Sequence, residues 1–191
     1  MNQLSSVTRE GAGPPPPAGG SVYHIRPSGP SDQQRLVACF KALSPESSRL
    51  RFFATKHSLT PNEIQFFVGA DGRDHIALAA IRLDEQGREE EALGFVRCVR
   101  LAPGGAAAEF SVTVADAAQG QGIGSALVDA LLERARAVGI RQLRFEVLAE
   151  NAPMRRLAMR MGGSPQWLGD GVVEYTCILE PLADSPPVGL P

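Results

Sequence analysis

The sequence predicts one α+β domain: a single mixed, mostly antiparallel sheet with helices packed against it. Three observations carry this reading. Strand-like segments follow one another between residues 76 and 114 with no helix among them. From there the order becomes strand, helix, strand, helix, strand, up to residue 179. A domain of ~150 residues also buries roughly 70% of its unfolded surface, so no metal or disulfide framework is needed to supply a core.

The elements follow in order. Val22-Tyr23-His24-Ile25-Arg26 is β-branched and aromatic and stops at Pro27, as a short strand does. Ser31 opens a capping-box pattern with Gln34, after which Leu36, Val37, Phe40 and Leu43 share one helical face. Ser44-Pro45-Glu46 and Thr60-Pro61-Asn62-Glu63 each start a further helix with proline in its first position. Both of these helices finish on paired aromatics, Phe52-Phe53 and Phe66-Phe67, which read either as core packing or as the wall of a cleft. Residues 76–81 and 93–100 are strands separated by a polar loop at 84–88. Residues 107–114 form the next, in which Phe110, Val112 and Val114 alternate with Glu109, Ser111 and Thr113. A long amphipathic helix carries Ile123, Leu127, Leu131 and Val138, with Gly139 as its stop. Residues 143–148 form a strand, Asn151 caps a helix to Met161, and residues 172–179 close the domain.

Composition narrows the function classes. The 19 Lys+Arg against 21 Asp+Glu leave a formal net charge of -2, which argues against nucleic acid as the main partner. The 15 prolines and 20 glycines are unevenly placed. Residues 1–20 and 181–191 are rich in them and read as flexible tails around a domain at 21–180. Cys39, Cys98 and Cys177 are odd in number and set in apolar runs, the pattern of reduced core thiols. His24, His57 and His75 lack partners at metal-ligand spacing, so no metal centre is expected. There is no 18-residue apolar run and no basic-then-apolar leader, so a cytoplasmic protein without membrane contact is expected.

The chemistry is concentrated at residues 106–125, where a strand feeds a glycine-rich loop that opens directly into a helix. Free N–H groups of a first helical turn, aided by the helix dipole, make an anion site. Gly120, Gly122 and Gly124 remove side chains that would hold a pyrophosphate off the backbone. The loop has no lysine, so it is not a Walker A motif. Only Ile123 separates Gly122 from Gly124, so the dinucleotide fingerprint also fails. By itself the loop is either a phosphate cradle or a structural turn.

Gln119-x-x-Gly122-x-Gly124 after an alternating strand, with Asn151 capping the next helix, resembles the GNAT family of N-acetyltransferases. Ser47-Ser48-Arg49-Leu50-Arg51-Phe52-Phe53, Ala108-Glu109-Phe110-Ser111-Val112 and Glu150-Asn151-x-x-Met154 sharpen the likeness. They resemble the acetyltransferase domain of bacterial protein-lysine acetyltransferases. The resemblance spans about residues 22–180 and implies the GNAT fold with acetyl-CoA as cosubstrate. It implies a pyrophosphate loop of Gln119, Gly120, Gln121, Gly122, Ile123, Gly124 and Ser125. Val112, Thr113 and Val114 would pair with the pantetheine arm, and Asn151 would lie near the thiol end.

The resemblance also distributes the chemical roles. An amine of pKa about 10 must lose a proton before it attacks a thioester. Glu109 matches the general-base position, although the strand pattern alone favours a surface carboxylate. A strand N–H, at Val112, matches the donor to the oxyanion. The helix after Asn151 has no tyrosine where relatives place a general acid, and it ends Met161-Gly162-Gly163 where relatives show Gly-Phe. Arg155 and Arg156 read as a solvated face or as contacts to the 3'-phosphate. The expected acceptor is a protein lysine; a small amine, or a non-catalytic acyl-CoA sensor, is the alternative.

Overall fold

The computed structural model describes residues 22–180 except Thr55 and His57. The tails expected at 1–20 and 181–191, like His57, lie outside the described residues. β1 (Tyr23–Pro27), β2 (His75–Leu83), β3 (Glu89–Arg100) and β4 (Ala107–Val114) pair antiparallel in chain order. β4 then pairs in parallel with β5 (Gln142–Leu148), because α4 (Ile123–Ala137) returns the chain across the sheet between them. β7 (Val172–Ile178) lies antiparallel between β5 and the edge strand β6 (Ser164–Gly169), and α5 (Ala152–Arg160) links β5 to β6.

The two faces of the sheet are covered by different helices. On one, Leu78, Val96, Phe110 and Leu143 pack with Leu127 and Leu131 of α4 in a continuous core. On the other, three helices sit between β1 and β2: α1 (Gln33–Lys41), α2 (Pro45–Phe52) and α3 (Pro61–Val68). There Cys39 of α1 packs on Ala79, Ile81 and Ala92. Period-two alternation sends odd and even residues of β4 to opposite faces, so Glu109, Ser111 and Thr113 lie on the α1–α3 side.

The sequence signals for starts and stops hold well where they are local. Ser44 and Thr60 cap α2 and α3 by accepting from the amides of Ser47 and Glu63, with proline at each first position. Asn151 Oδ1 accepts from the Met154 amide, and Gly139 leaves α4 with φ +83°. Three expectations need correction. Ser31 does not cap α1; the chain enters through a 3-10 turn (Pro30–Asp32) in which the Asp32 carboxylate accepts from the Gly29 amide at 3.0 Å. That helix ends at Lys41, so Leu43 lies beyond it. The edge strand β6 was not expected: Pro165 removes one ladder donor, and uniform exposure leaves no buried period-two face to read.

Gly94 in β3 sets the spacing between sheet and helix. A Cβ there would stand 2.7 Å from the Thr113 carbonyl oxygen and 3.1 Å from Leu127 Cδ1. Backbone cannot yield as a side chain does, so Gly94→Ala is expected to destabilise the fold by about 1–3 kcal/mol in urea titration. Gly163 is equally closed: its Cβ would meet Cys177 Sγ at 3.0 Å and Tyr175 Cδ1 at 3.1 Å. Tyr175 is in turn stacked on Phe145, with ring centres 5.8 Å apart.

Cys39, Cys98 and Cys177 are buried and unpaired. Burial pushes the thiols of Cys39 and Cys98 up to about 12, so neither offers a thiolate. Among the described residues no His, Cys, Asp or Glu cluster is arranged to hold a metal. No described helix is long and apolar enough to cross a membrane.

Candidate active site

The parallel ladder between β4 and β5 holds only from Ala107↔Gln142 to Glu109↔Arg144. Beyond Glu109 the two strands part. Directly past the last pair, the rings of Phe110 and Phe145 meet edge-on at 4.9 Å on the α4 side. The gap widens into a cavity of about 960 Å³.

Hydrogen-bond parity decides what β4 offers to this gap. Gln142 donates to the Ala106 carbonyl on the β5 side, while the carbonyl of Ala107 and the amide of Ala115 bond toward the β3 side. Antiparallel pairing alternates these directions, so the backbone groups of Phe110, Val112 and Val114 face β5. With the ladder ended, the N–H of Val112 has no strand partner and points into the gap. Thr113 instead turns its backbone to β3, and its hydroxyl accepts from Arg51 Nε at 3.2 Å.

The glycine-rich loop closes one end of the cavity. Gly120 and Gly122 hold φ +75° and +81°, the left-handed region that glycine enters without cost. A Cβ at either would meet nothing within 4 Å, so the loop presents open backbone. Gly122 begins α4 without a side-chain cap, and the first intrahelical bond runs from the Ala126 amide to the Gly122 carbonyl. The amides of Ile123, Gly124 and Ser125 therefore lack intrahelical acceptors beside the cavity. This is the arrangement an anion needs.

The sequence-derived residues do not all contribute alike. Glu109, Val112, Thr113, Val114, Gln119, Gly120, Gly122, Ile123, Gly124, Ser125 and Asn151 all line the cavity. Gln121 does not; its side chain turns back to donate to the Ala117 carbonyl at 2.8 Å. The Gln119 side chain braces the loop by donating to the Val114 carbonyl and to Asp116. Asn151 spends Oδ1 on its helix cap, and its Nδ2 has no protein partner among the described residues.

The two ambiguous arginines separate. Arg156 faces the cavity with Pro153, Met154, Leu157 and Arg160, the one-sided spacing of a helix. Arg155 instead donates to the Ala149 carbonyl. Of the paired aromatics, Phe53 lines the cavity, whereas Phe52 packs edge-on against Phe40. Sequence reasoning gave no site role to Arg51, Arg144, Glu146 and Glu174, which line the cavity, or to Arg97, which borders a smaller recess beside it. These are gathered by cross-strand register and helix docking, for which no local signal exists.

The Acetyltransferase (GNAT) family pattern matches residues 36–162, two thirds of the chain and all of the cavity's main walls. The chain belongs to the GNAT acetyltransferase family. It is 29% identical over 143 residues to the acetyltransferase Pat of Mycolicibacterium smegmatis, covering 75% of this chain and 41% of that protein. This GNAT chain thus spans less than half the length of that relative. It is 30% identical over 138 residues to an acetyltransferase of Pseudomonas aeruginosa, covering 72% and 73% of the two chains. Among solved structures, the GNAT domain of S. lividans PAT superposes with a TM-score of 0.71 at 34% identity, covering 81% and 89%.

Proposed function

We propose that this GNAT chain transfers an acetyl group from acetyl-CoA to a primary amine by direct attack in a ternary complex, with the side chain of a protein lysine as the acceptor. The observation that carries the reading is the break in the β4–β5 ladder, which joins an unpaired strand edge to an uncapped helix start in one cavity. The lysine acceptor is supported by the likeness of the 47–53, 108–112 and 150–154 segments to protein-lysine acetyltransferases. The buried, unpaired cysteines support a reducing, cytoplasmic setting.

Acetyl-CoA supplies a thioester already activated toward amines; the chain holds it, places the amine and takes up a proton. The amides of Ile123, Gly124 and Ser125 hold the pyrophosphate, aided by the helix dipole. Gly120 and Gly122 keep that surface free of side chains. The edge of β4 at Val112 and Val114 pairs with the pantetheine arm, and the Val112 N–H donates to the thioester carbonyl oxygen. Asn151 has a free amide donor to offer at the thiol end. Glu109 stands where the ladder ends and takes the proton from the amine, directly or through one water. No tyrosine lines the cavity among the described residues. A thiol with a pKa of about 8.5 leaves as thiolate without a side-chain acid.

Titration calorimetry tests the donor site. Acetyl-CoA is expected to bind, and binding of NAD in its place overturns the reading. A Cβ at Gly124 would rest 3.5 Å from Val114 Cγ2, an ordinary contact, and Gly124 has no positive φ to strain. Gly124→Ala is therefore expected to leave the melting temperature nearly unchanged. It should still weaken acetyl-CoA about tenfold or more by covering the first-turn amides.

A further inference from the structure

The sheet face that carries Glu109 is electrically divided. On the β3–β4 side Arg97 stands opposite Ser111 in register, and its Nε donates to the Ser111 hydroxyl at 3.2 Å. The Arg97 guanidinium lies 3.9 Å from the centre of the Phe67 ring, and its Nη1 is buried without a hydrogen-bond partner. Arg51 reaches down from α2 to Thr113, the next residue along this face of β4. Both arginines border a recess of about 20 Å³ between α3 and the sheet, large enough for one water or one carboxylate oxygen. Arg51 also lines the main cavity, so the recess adjoins it. Neither arginine has a carboxylate within ion-pair distance among the described residues.

Across Glu109, past Arg144 with which it pairs in register, the sign reverses. Glu146 of β5 and Glu174 of β7 are directly opposed in register and both line the cavity. Neither forms an ion pair among the described residues, and two carboxylates opposed across strands repel unless a cation joins them. Burial, with Arg97 adding to it and Glu109 opposing, lowers Arg51 to about 10, so it stays charged at neutral pH. An arginine under that pressure gains from an anion.

We infer that the acceptor is an amine that carries a carboxylate close by. Its ammonium enters along Glu146 and Glu174 toward Glu109, and its carboxylate is held by Arg51 and Arg97. This rests on the acetyl-transfer reading and adds the acceptor's class to it. A free amino acid supplies that chemistry, and so does a protein lysine flanked by an acidic residue.

The test measures acceptor affinity by calorimetry on the full chain with saturating CoA, so it does not depend on turnover. One arm compares L-glutamate and L-lysine with their α-amides. The other compares lysine peptides carrying glutamate beside the lysine with the same peptides carrying glutamine. The carboxylate member is expected to bind about tenfold tighter or more in one arm, and that arm names the source. Arg51→Gln is expected to remove the preference while CoA affinity stays at the wild-type value, and Arg51→Lys is expected to restore part of it. Equal affinities in both arms, no acceptor binding in either, or a preference that survives Arg51→Gln overturns the inference. Loss of CoA binding by the wild type, read in the same titrations, instead overturns the acetyl-transfer reading.

Discussion

Glu109→Gln is expected to lower kcat about 10²- to 10⁴-fold while acetyl-CoA affinity is unchanged. The glutamate sits at the last rung of the β4–β5 ladder, opposite Arg144, with its side chain exposed to the cavity. Glutamine keeps the shape and can still accept a hydrogen bond from its carbonyl oxygen, but it takes up no proton. The defect should therefore depend on pH. An acceptor amine with pKa near 10 is almost wholly protonated at neutral pH, and a side chain that removes its proton matters most there. As pH rises the neutral amine becomes abundant, so the variant's rate should climb and the deficit narrow. Stopped-assay profiles from pH 6 to 10 with one lysine peptide measure this. A variant within about twofold of wild type in kcat across that range would mean that Glu109 is a surface carboxylate of an alternating strand.

Asp32→Ala is expected to cost about 3–5 kcal/mol of folding stability. Asp32 is fully buried, and its two oxygens receive both Nη atoms of Arg26 at 2.7 and 2.8 Å. The same guanidinium donates to Glu89 of β3 at 2.5 and 2.7 Å, so one arginine ties β1, the turn into α1 and β3 together. Truncating Asp32 leaves that arginine without its buried partner. Urea titration should show a lower midpoint with an unchanged slope.

The sign of the pH dependence follows from the same contacts. The Arg26 hydrogen bond, against some burial, holds Glu89 at about 2, below its ordinary 4.5. Burial pushes Asp32 up, but Arg26, the Gly29 amide and Arg35 outweigh it and leave its carboxyl below the usual range. Carboxylates lowered in the folded state contribute stability above their unfolded pKa values and lose it as pH falls through the folded ones. Wild-type stability should thus decline from about pH 4.5 toward pH 2, and Asp32→Ala should flatten that decline.

Most elements were legible because their signals are local. Ser44-Pro45, Thr60-Pro61 and Asn151 each carry their cap within four residues, and the alternation of 107–114 names its own buried face. Gly120 and Gly122 were legible as open backbone, and nothing lies within 4 Å of a Cβ built at either. The failures are equally physical. Ser31 satisfied a capping pattern, yet the Asp32 carboxylate is drawn inward by Arg26 and the helix starts later. β6 has no buried face, so periodicity could not find an edge strand whose pairing partner alone defines it.

By itself, the sequence determined the order of the strands and helices other than β6 and the glycine-rich entry to α4. Each rests on neighbours in the chain. Only the tertiary structure decided that the β4–β5 ladder stops at Glu109, that Val112 faces the opening, and which of Arg155 and Arg156 reaches it. It alone set Arg51 and Arg97 against Glu146 and Glu174 on one sheet face. Those four residues lie on four separate elements, and only strand register and the docking of α2 bring them to one side of the sheet.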